Sequence, residues 1–376
     1  MTNTALLRRA REAKAWLMDA CFPLWAERGV VAGGFLEVLD LQHHPIEDNE
    51  VRVRVQARQT YVYAEALKLG WKPLRAQSLI QLGLNTLQTA CWREDGLFGR
   101  RLDLDTGTLC DDTADLYDTA FALYAMASAR AAEPAQADNM IARTCSAIAA
   151  QLEDPSGGYK ESLPPPEYRK QNPHMHLFEA SLALISATGD SEHFTRAKSL
   201  NALCEARFID PKTGTLGEYF ARGDWQTPQG EPGEIVEPGH HFEWVWLLCE
   251  FARKTGGADL ENAKRLYAFA CNTLDADGRA IQSCTRAGVP KDTSRRTWPQ
   301  TEALKAHLAM WKAGDEDAAA RAVTSFDILM DEYLTPAGGW IDHYDSDGQV
   351  LAKDMPASTG YHVVLAFIEL INTVGA

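Results

Sequence analysis

Three histidines, two carboxylates and an arginine recur in this chain at nearly one interval. Arg58, Asp118, His176, His240, Glu302 and His362 are separated by 60, 58, 64, 62 and 60 residues, and each stands near the start of a strongly apolar stretch. Further polar groups gather around them: Arg54 and Gln56 before Arg58, Tyr117 beside Asp118, Asn172, His174 and Glu179 around His176, Glu243 after His240, Trp298 and Gln300 before Glu302, and Tyr361 beside His362. His176 and Glu179 are three apart, as are His240 and Glu243, and Trp298 and Glu302 are four apart, so each pair shares a helical face.

The chemistry such groups suit is proton transfer. An imidazole with an ordinary pKa of about 6.5 moves a proton either way near neutrality. Glutamate and asparagine serve the hydroxyls of a polyol, and arginine serves a carbonyl or enediolate oxygen. No G-x-S-x-G elbow, no Gly-rich phosphate loop and no H-E-x-x-H is present, so acyl transfer, nucleotide hydrolysis and zinc proteolysis lose their usual support. "HMH" and "HH" lack the ligand spacing of a familiar metal centre, and no metal or other cofactor is expected. Isomerisation or epimerisation of a sugar remains. His43, His44 and His343 lie in turns outside the register and are expected to be ordinary polar residues. Trp244 and Trp246 are expected in the core, whereas Trp298 at a helix start offers a flat wall for a sugar ring.

Repeated elements must bring these residues together. Six glycine-led segments answer one another: "GGFLEVLD", "DGLFGRRLD", "GGYKESL", "GTLGEYF", "DGRAIQS" and "GGWIDHY". With Gly34, Gly96, Gly158, Gly214, Gly278 and Gly339 as markers, the intervals are 62, 62, 56, 64 and 61 residues. Each period holds an amphipathic helical stretch, the glycine turn with residues able to pair as a short hairpin, and a second, more apolar helical stretch. "ALLRRAREAKAWLMDACF" is of the first kind and "MHLFEASLALISATG" of the second. Six amphipathic helices around six buried ones describe an all-α (α/α)6 barrel with short β-hairpins in the loops at one end. Residues 1–376 are expected to form this single domain. A solenoid of helical pairs competes, but six copies with hairpins at one end favour closure. Parallel inner helices would then converge on one mouth, where six positive helix ends favour a developing anion.

The chain's 376 residues, 45% of them hydrophobic, allow a core of that size. A net charge of -15 argues against a nucleic-acid partner. The eight cysteines stand singly without C-x-x-C, as in a reduced cytoplasmic protein. The N-terminal "MTNTALLRRAREAKAWLMDACF" has the pattern of an amphipathic helix rather than a signal peptide, and no stretch is long and apolar enough for a membrane. The outer helices present exposed faces on which a homodimer is possible.

"VRVQARQTYVYAEALKLGW", "NPHMHLFEA", "EPGHHFEWVWLL", "WPQTEALKA" and "PASTGYHVVLAFIEL" follow in order over most of the chain. Together they resemble the signatures of the N-acyl-D-glucosamine 2-epimerase superfamily. The resemblance implies an (α/α)6 barrel, and an activity among 2-epimerases of N-acylglucosamine or cellobiose, aldose-ketose isomerases of mannose, and mannose-6-phosphate isomerases, generally without a metal. It implies that His240 and His362 handle protons, that Arg58 contacts a substrate oxygen, and that Asn172, His176, Glu243 and Glu302 bind sugar or support the site. Tyr117, Asp118, Glu179, Trp298 and Gln300 are expected at the same mouth as sugar-binding residues. "DMPASTGYH" is similar to the mannose and mannose-6-phosphate isomerase branch.

The expected activity is interconversion of a mannose-like aldose and a fructose-like ketose through a cis-enediolate, with His362 moving the carbon-bound proton and His240 assisting ring opening. A 2-epimerase uses the same inventory. A glycoside hydrolase or lyase would instead rest on a carboxylate pair and leave three registered histidines without a purpose. A binding protein built on the barrel is the remaining class. Arg222, Arg295, Arg296 and Lys353 lie near turns that could reach a phosphate on the sugar.

Overall fold

The computed structural model describes residues 2–46, 49–257 and 260–376. Its helices are α1 (Thr2–Trp16), α2 (Phe22–Arg28), α3 (Val53–Lys68), α4 (Pro73–Thr86), α5 (Leu116–Ala129), α6 (Pro134–Ala147), α7 (Gln171–Thr188), α8 (Ser191–Leu203), the short α9 (Glu231–Glu234), α10 (Pro238–Thr255), α11 (Glu261–Asn272), α12 (Thr297–Lys312), α13 (Glu316–Ile328) and α14 (Ala357–Val374). Helices α3, α5, α7, α10, α12 and α14 pack each on the next, and α14 returns to α3. Helices α1, α4, α6, α8, α11 and α13 surround this ring, with α1 lying on both α13 and α14.

Local sequence explains these elements. Pro73, Pro134 and Pro238 occupy the first turns of α4, α6 and α10, where a missing N–H costs nothing. Asp115, Asp190 and Asp315 cap α5, α8 and α13 through their side chains. Helices α7, α10 and α14 stop at Gly189, Gly256 and Gly375 in the left-handed conformation. Five outer helices run into a wider π-helical turn that buries its first and last residues, such as Leu87 and Cys91 after α4 or Leu329 and Tyr333 after α13.

The pairing of the short strands differs from the expected picture of separate hairpins. Antiparallel bridges such as Trp92 with Phe98 and Leu334 with Trp340 do straddle the glycine turns. A second set of pairings joins consecutive repeats, because the strand leading into each inner helix pairs with the strand after the next repeat's turn. Val51 pairs with Leu102, Asp115 with Ser162, Lys170 with Tyr219, Val236 with Cys284 and Arg296 with His343. The sixth pairing, Pro356 with Val38, returns to the first repeat and closes the ring. At this seam Trp25 stacks on Trp340 with ring centroids 4.7 Å apart. Gly338, with φ of +93°, lies so close to the Ala20 backbone that a Cβ would overlap it.

One polar side chain near the start of each inner helix is fastened to its own repeat's turn. Gln56 bonds both N–H and C=O of Phe35, and Gln300 bonds both of Ala280. Thr119, His174 and His241 accept from the N–H groups of Phe98, Tyr159 and Leu216, and the Met355 sulfur accepts from Trp340. These contacts fix the helix starts against the strand layer and thereby set the height of the neighbouring residues that face the axis.

Candidate active site

The N-terminal ends of the inner helices meet beside the strand layer, and the registered residues meet with them. His240 lies in the first turn of α10. Its Nδ1 is 2.9 Å from Glu218 Oε2 and its Nε2 is 3.0 Å from the Asn172 amide. Gly239 lets the Trp298 ring lie against the start of α10, since a Cβ there would strike the indole. Trp298 therefore sits between the two proton-handling candidates, 5.0 Å from the His240 ring and 6.0 Å from that of His362. His362 Nδ1 is 2.8 Å from Glu302 Oε1.

The two histidines are held in opposite charge states. Burial disfavours the imidazolium of His240, but Glu218 and Glu237 outweigh it and push the ring up to about 10. His362 is driven well below the ordinary histidine range by burial and then by Arg58, Lys305 and His176. At neutral pH the site thus presents a charged acid and a neutral base, the separation that acid–base chemistry requires. With its Nδ1–H donated to Glu302, His362 turns the lone pair of Nε2 away from that carboxylate. The Asn172 Oδ1 is buried without a partner. Turning that amide over would place Oδ1 on the Nε2–H of a charged His240 and satisfy both.

Arg58 enters from α3 with its guanidinium 4.1 Å above the Phe121 ring and 5.0 Å from that of Tyr361. It donates to Tyr117 Oη at 2.9 Å and to the Ser358 carbonyl at 3.2 Å, while its buried Nε has no partner. Below lies His176, whose Nδ1 is 3.0 Å from Glu179 Oε2 and 3.8 Å from Glu243 Oε1. Burial holds His176 down at about 4 against the pull of Glu179. Glu179 also accepts from the Tyr361 hydroxyl. Glu243 is pushed well above the carboxylate range by burial and then by Glu302. Two clusters, His176 with Glu179 and Glu243, and His240 with Glu218 and Glu237, have the atom types of a cation site. In both, the histidine Nδ1 is already hydrogen-bonded to a carboxylate.

A cleft of about 430 Å³ opens at the rim beside Trp298 and Arg296. A larger hollow of about 640 Å³ lies between the C-terminal halves of the inner helices, among Lys68, Arg130, Glu250 and Lys254. Glu179 lies between it and the histidine end. The opposed acid and base and the Trp298 wall all belong to the other end, which is where we place the chemistry.

The family model for N-acylglucosamine 2-epimerase (GlcNAc 2-epimerase) matches residues 33–366. This chain belongs to that family. The epimerase-family member is 34% identical over 383 residues to a mannose-6-phosphate isomerase of Rhizobium meliloti (strain 1021), covering 96% of each chain. It is 25% identical over 296 residues to a D-mannose isomerase of Marinomonas mediterranea, covering 72% of this chain and 74% of that one. The solved structure of cellobiose 2-epimerase from Spirochaeta thermophila DSM 6192 shares the fold, with a TM-score of 0.88 at 22% identity over 98% of this chain and 97% of the other. The chain is a carbohydrate isomerase or 2-epimerase.

Within the epimerase-family barrel three expected sugar-binding residues have other employment. Gln300 differs from the expectation: its amide bonds the backbone of Ala280 and Arg296, on the side of α12 that faces the turn. Asp118 is buried and accepts from the Arg54 N–H at 2.8 Å, with the Arg54 side chain 3.3 Å away. Burial lifts it to about 7 against the pull of Arg54. Glu302 is 0% exposed and spends its oxygens on His362 and Lys305. Arg58, Tyr117, Asn172, His176, Glu179, Glu243, Trp298, His240 and His362 do gather at the same end. Of the four basic turn residues, Arg296 lines the rim cleft, where Asp342 is 3.3 Å away, whereas Arg222 donates to the Pro166 carbonyl.

Glu218 and Lys305 escaped the sequence reading. Glu218 lies in the fourth glycine segment, directly before the two-residue strand Tyr219–Phe220, where no helical register marks it. Lys305 carried a usable signal: a charge three residues after Glu302 on a helix apolar nearly all round needs a buried partner.

Proposed function

We propose that this family member is an aldose-ketose isomerase for mannose-like sugars and that His240 and His362 are its catalytic pair. The observation that carries the reading is the placement of the two rings on either side of Trp298, each with its Nδ1 on a buried glutamate. The near full-length likeness to a mannose-6-phosphate isomerase supports the choice of isomerase over epimerase.

In this reading the His240 imidazolium turns its Nε2–H from Asn172 to the sugar, gives a proton to the ring oxygen as the sugar opens, and recovers one from the O1 hydroxyl. Neutral His362 then takes the C2 proton on Nε2. The C2–H electron pair becomes the C1–C2 double bond of a cis-enediolate, and the carbonyl electrons move onto O1 beside Arg58. Return of the proton from His362 to C1, with the O2 proton passing to O1, leaves the 2-ketose. Asn172, His176 and Tyr117 face the sugar's oxygens, and Trp298 supplies the stacking wall. The free state of all eight cysteines suits a reducing, cytoplasmic setting.

A 2-epimerase also needs one protonated and one free base, placed on opposite faces of C2, and is the second reading. Proton NMR of D-mannose and its 6-phosphate, incubated with chelator-treated enzyme in deuterated water, separates the two. The corresponding fructose labelled at C1 is the expected product, and comparing the two sugars shows whether phosphate is wanted. A glucose-type sugar labelled at C2 without ketose would establish the epimerase instead.

A further inference from the structure

Lys305 is the only lysine among the described residues that is buried, and it is 0% exposed. Its Nζ lies 2.7 Å from Glu302 Oε2 and 4.1 Å from the centre of the Trp246 ring. It does not reach the rim, and it sits one helical turn below the glutamate that holds His362. We propose that Lys305 is a positioning residue for the proton transfer, fixing the tautomer of His362 through Glu302. This rests on the reading of His362 as the base.

The groups facing Glu302 make the case. From α10 come Glu243 and His240, from α7 come Glu179 and His176, from α14 comes His362, and from α12 itself comes Lys305. Three buried glutamates, Glu179, Glu243 and Glu302, thus share one ammonium. Of the other cations, the His240 imidazolium is engaged with Glu218, and Arg58 with Tyr117 and the Ser358 carbonyl. Burial raises Glu302, and Lys305 opposes the rise.

Remove the ammonium and Glu302 faces two other carboxyls in a dry site, where a proton on Glu302 becomes the cheaper arrangement. A protonated carboxyl is a donor. At 2.8 Å from Nδ1 it would give its hydrogen to that nitrogen, and the imidazole proton would move to Nε2. The nitrogen meant to take a proton from the sugar would then already carry one. Lys305 therefore acts on catalysis without touching substrate.

Lys305→Met and Lys305→Arg in the full-length enzyme test this. Met keeps the volume and removes the charge, and the expected result is a kcat loss of roughly 100-fold or more with KM little changed, in keeping with general-base contributions. Activity of that variant should recover as pH rises and Glu302 ionises again, which a misfolded or repacked enzyme would not do. Arg keeps the charge and should stay within about tenfold of wild type. Nitrogen-15 NMR of histidine-labelled protein reads the tautomer independently of turnover: Nε2 of His362 is expected bare in wild type and Arg, and protonated in Met. If Met does not fold, Lys305→Gln carries the same expectation. A folded neutral variant with unchanged kcat, or one whose His362 keeps its proton on Nδ1, overturns the proposal. His362→Ala with near wild-type turnover would instead sink the base assignment, while the NMR result would still decide the role of Lys305.

Discussion

His240 and His362 have the same side chain, lie near the starts of two inner helices, in the first turn of α10 and one turn deeper in α14, and are driven in opposite directions by their surroundings. Glu218 and Glu237 surround the first, while Arg58 and Lys305 add to the burial of the second. The sign of each shift gives a pH profile. His362 must be neutral to act, so the acid limb of kcat/KM falls below the ordinary histidine pKa of about 6.5. His240 must be charged, so the alkaline limb lies near 10. We expect a broad plateau between them, and a narrow bell centred on neutrality would contradict it. Glu218→Gln removes a carboxylate partner of His240 and should move the alkaline limb down by a unit or more, roughly the worth of a close opposite charge. An unmoved limb would assign the charge to Glu237 alone. The histidines themselves were legible because three of them kept the period of the repeats. Glu218 was not, because its place depends on a two-residue strand pairing across repeats.

Elements show why residues two positions apart on one helix have different fates. Gln300 and Glu302 looked alike in sequence, yet one faces the glycine turn and the other the axis, a distinction that requires knowing how α12 is rotated. Gln300→Ala leaves the buried N–H and C=O of Ala280 without partners, at a cost of about 1–3 kcal/mol for such a group. The expected result is a lower melting temperature with kcat and KM for the sugar unchanged within about twofold. A rise in KM without loss of stability would return Gln300 to the substrate. His174 and His241 do the same fastening in their own repeats, and burial holds them neutral at about 3 and about 4. As pH falls below the ordinary value near 6.5, the unfolded chain takes up protons that these folded imidazoles refuse. Their contribution is intact above that pH and is lost on the way down towards their folded values. One such histidine costs about 2 kcal/mol at pH 5. Thermal melts from pH 7 to 4.5 should show a steep fall, which His241→Gln would soften; a flat curve would mean that the rings are not buried in solution.

The whole molecule is a ring, and that much followed from glycines spaced near sixty residues apart with helices of two kinds between them. How the ring is sealed did not follow, because pairing Pro356 with Val38 joins residues at opposite ends of the sequence. A closed set of repeats has no weak terminal unit to fray, unlike an open stack. Trp340→Ala at the seam, a loss of about 3–5 kcal/mol, should therefore speed global hydrogen exchange in α7, across the barrel, as much as in α14. Selective fraying of α1 and α14 would show that the seam is only a local contact. The same closure makes the order of the repeats in the gene largely a matter of bookkeeping. Lys14 reaches the carbonyl of Ala376 at 3.5 Å, so the last residue lies against the first helix. A linker from there to the start of α1, about 18 Å back along the helix at 1.5 Å per residue, and a new opening in an exposed turn between an inner and an outer helix, such as that at Gly189 and Asp190, would give a rearranged chain that still builds the same acid–base pair from repeats now met in a different sequence.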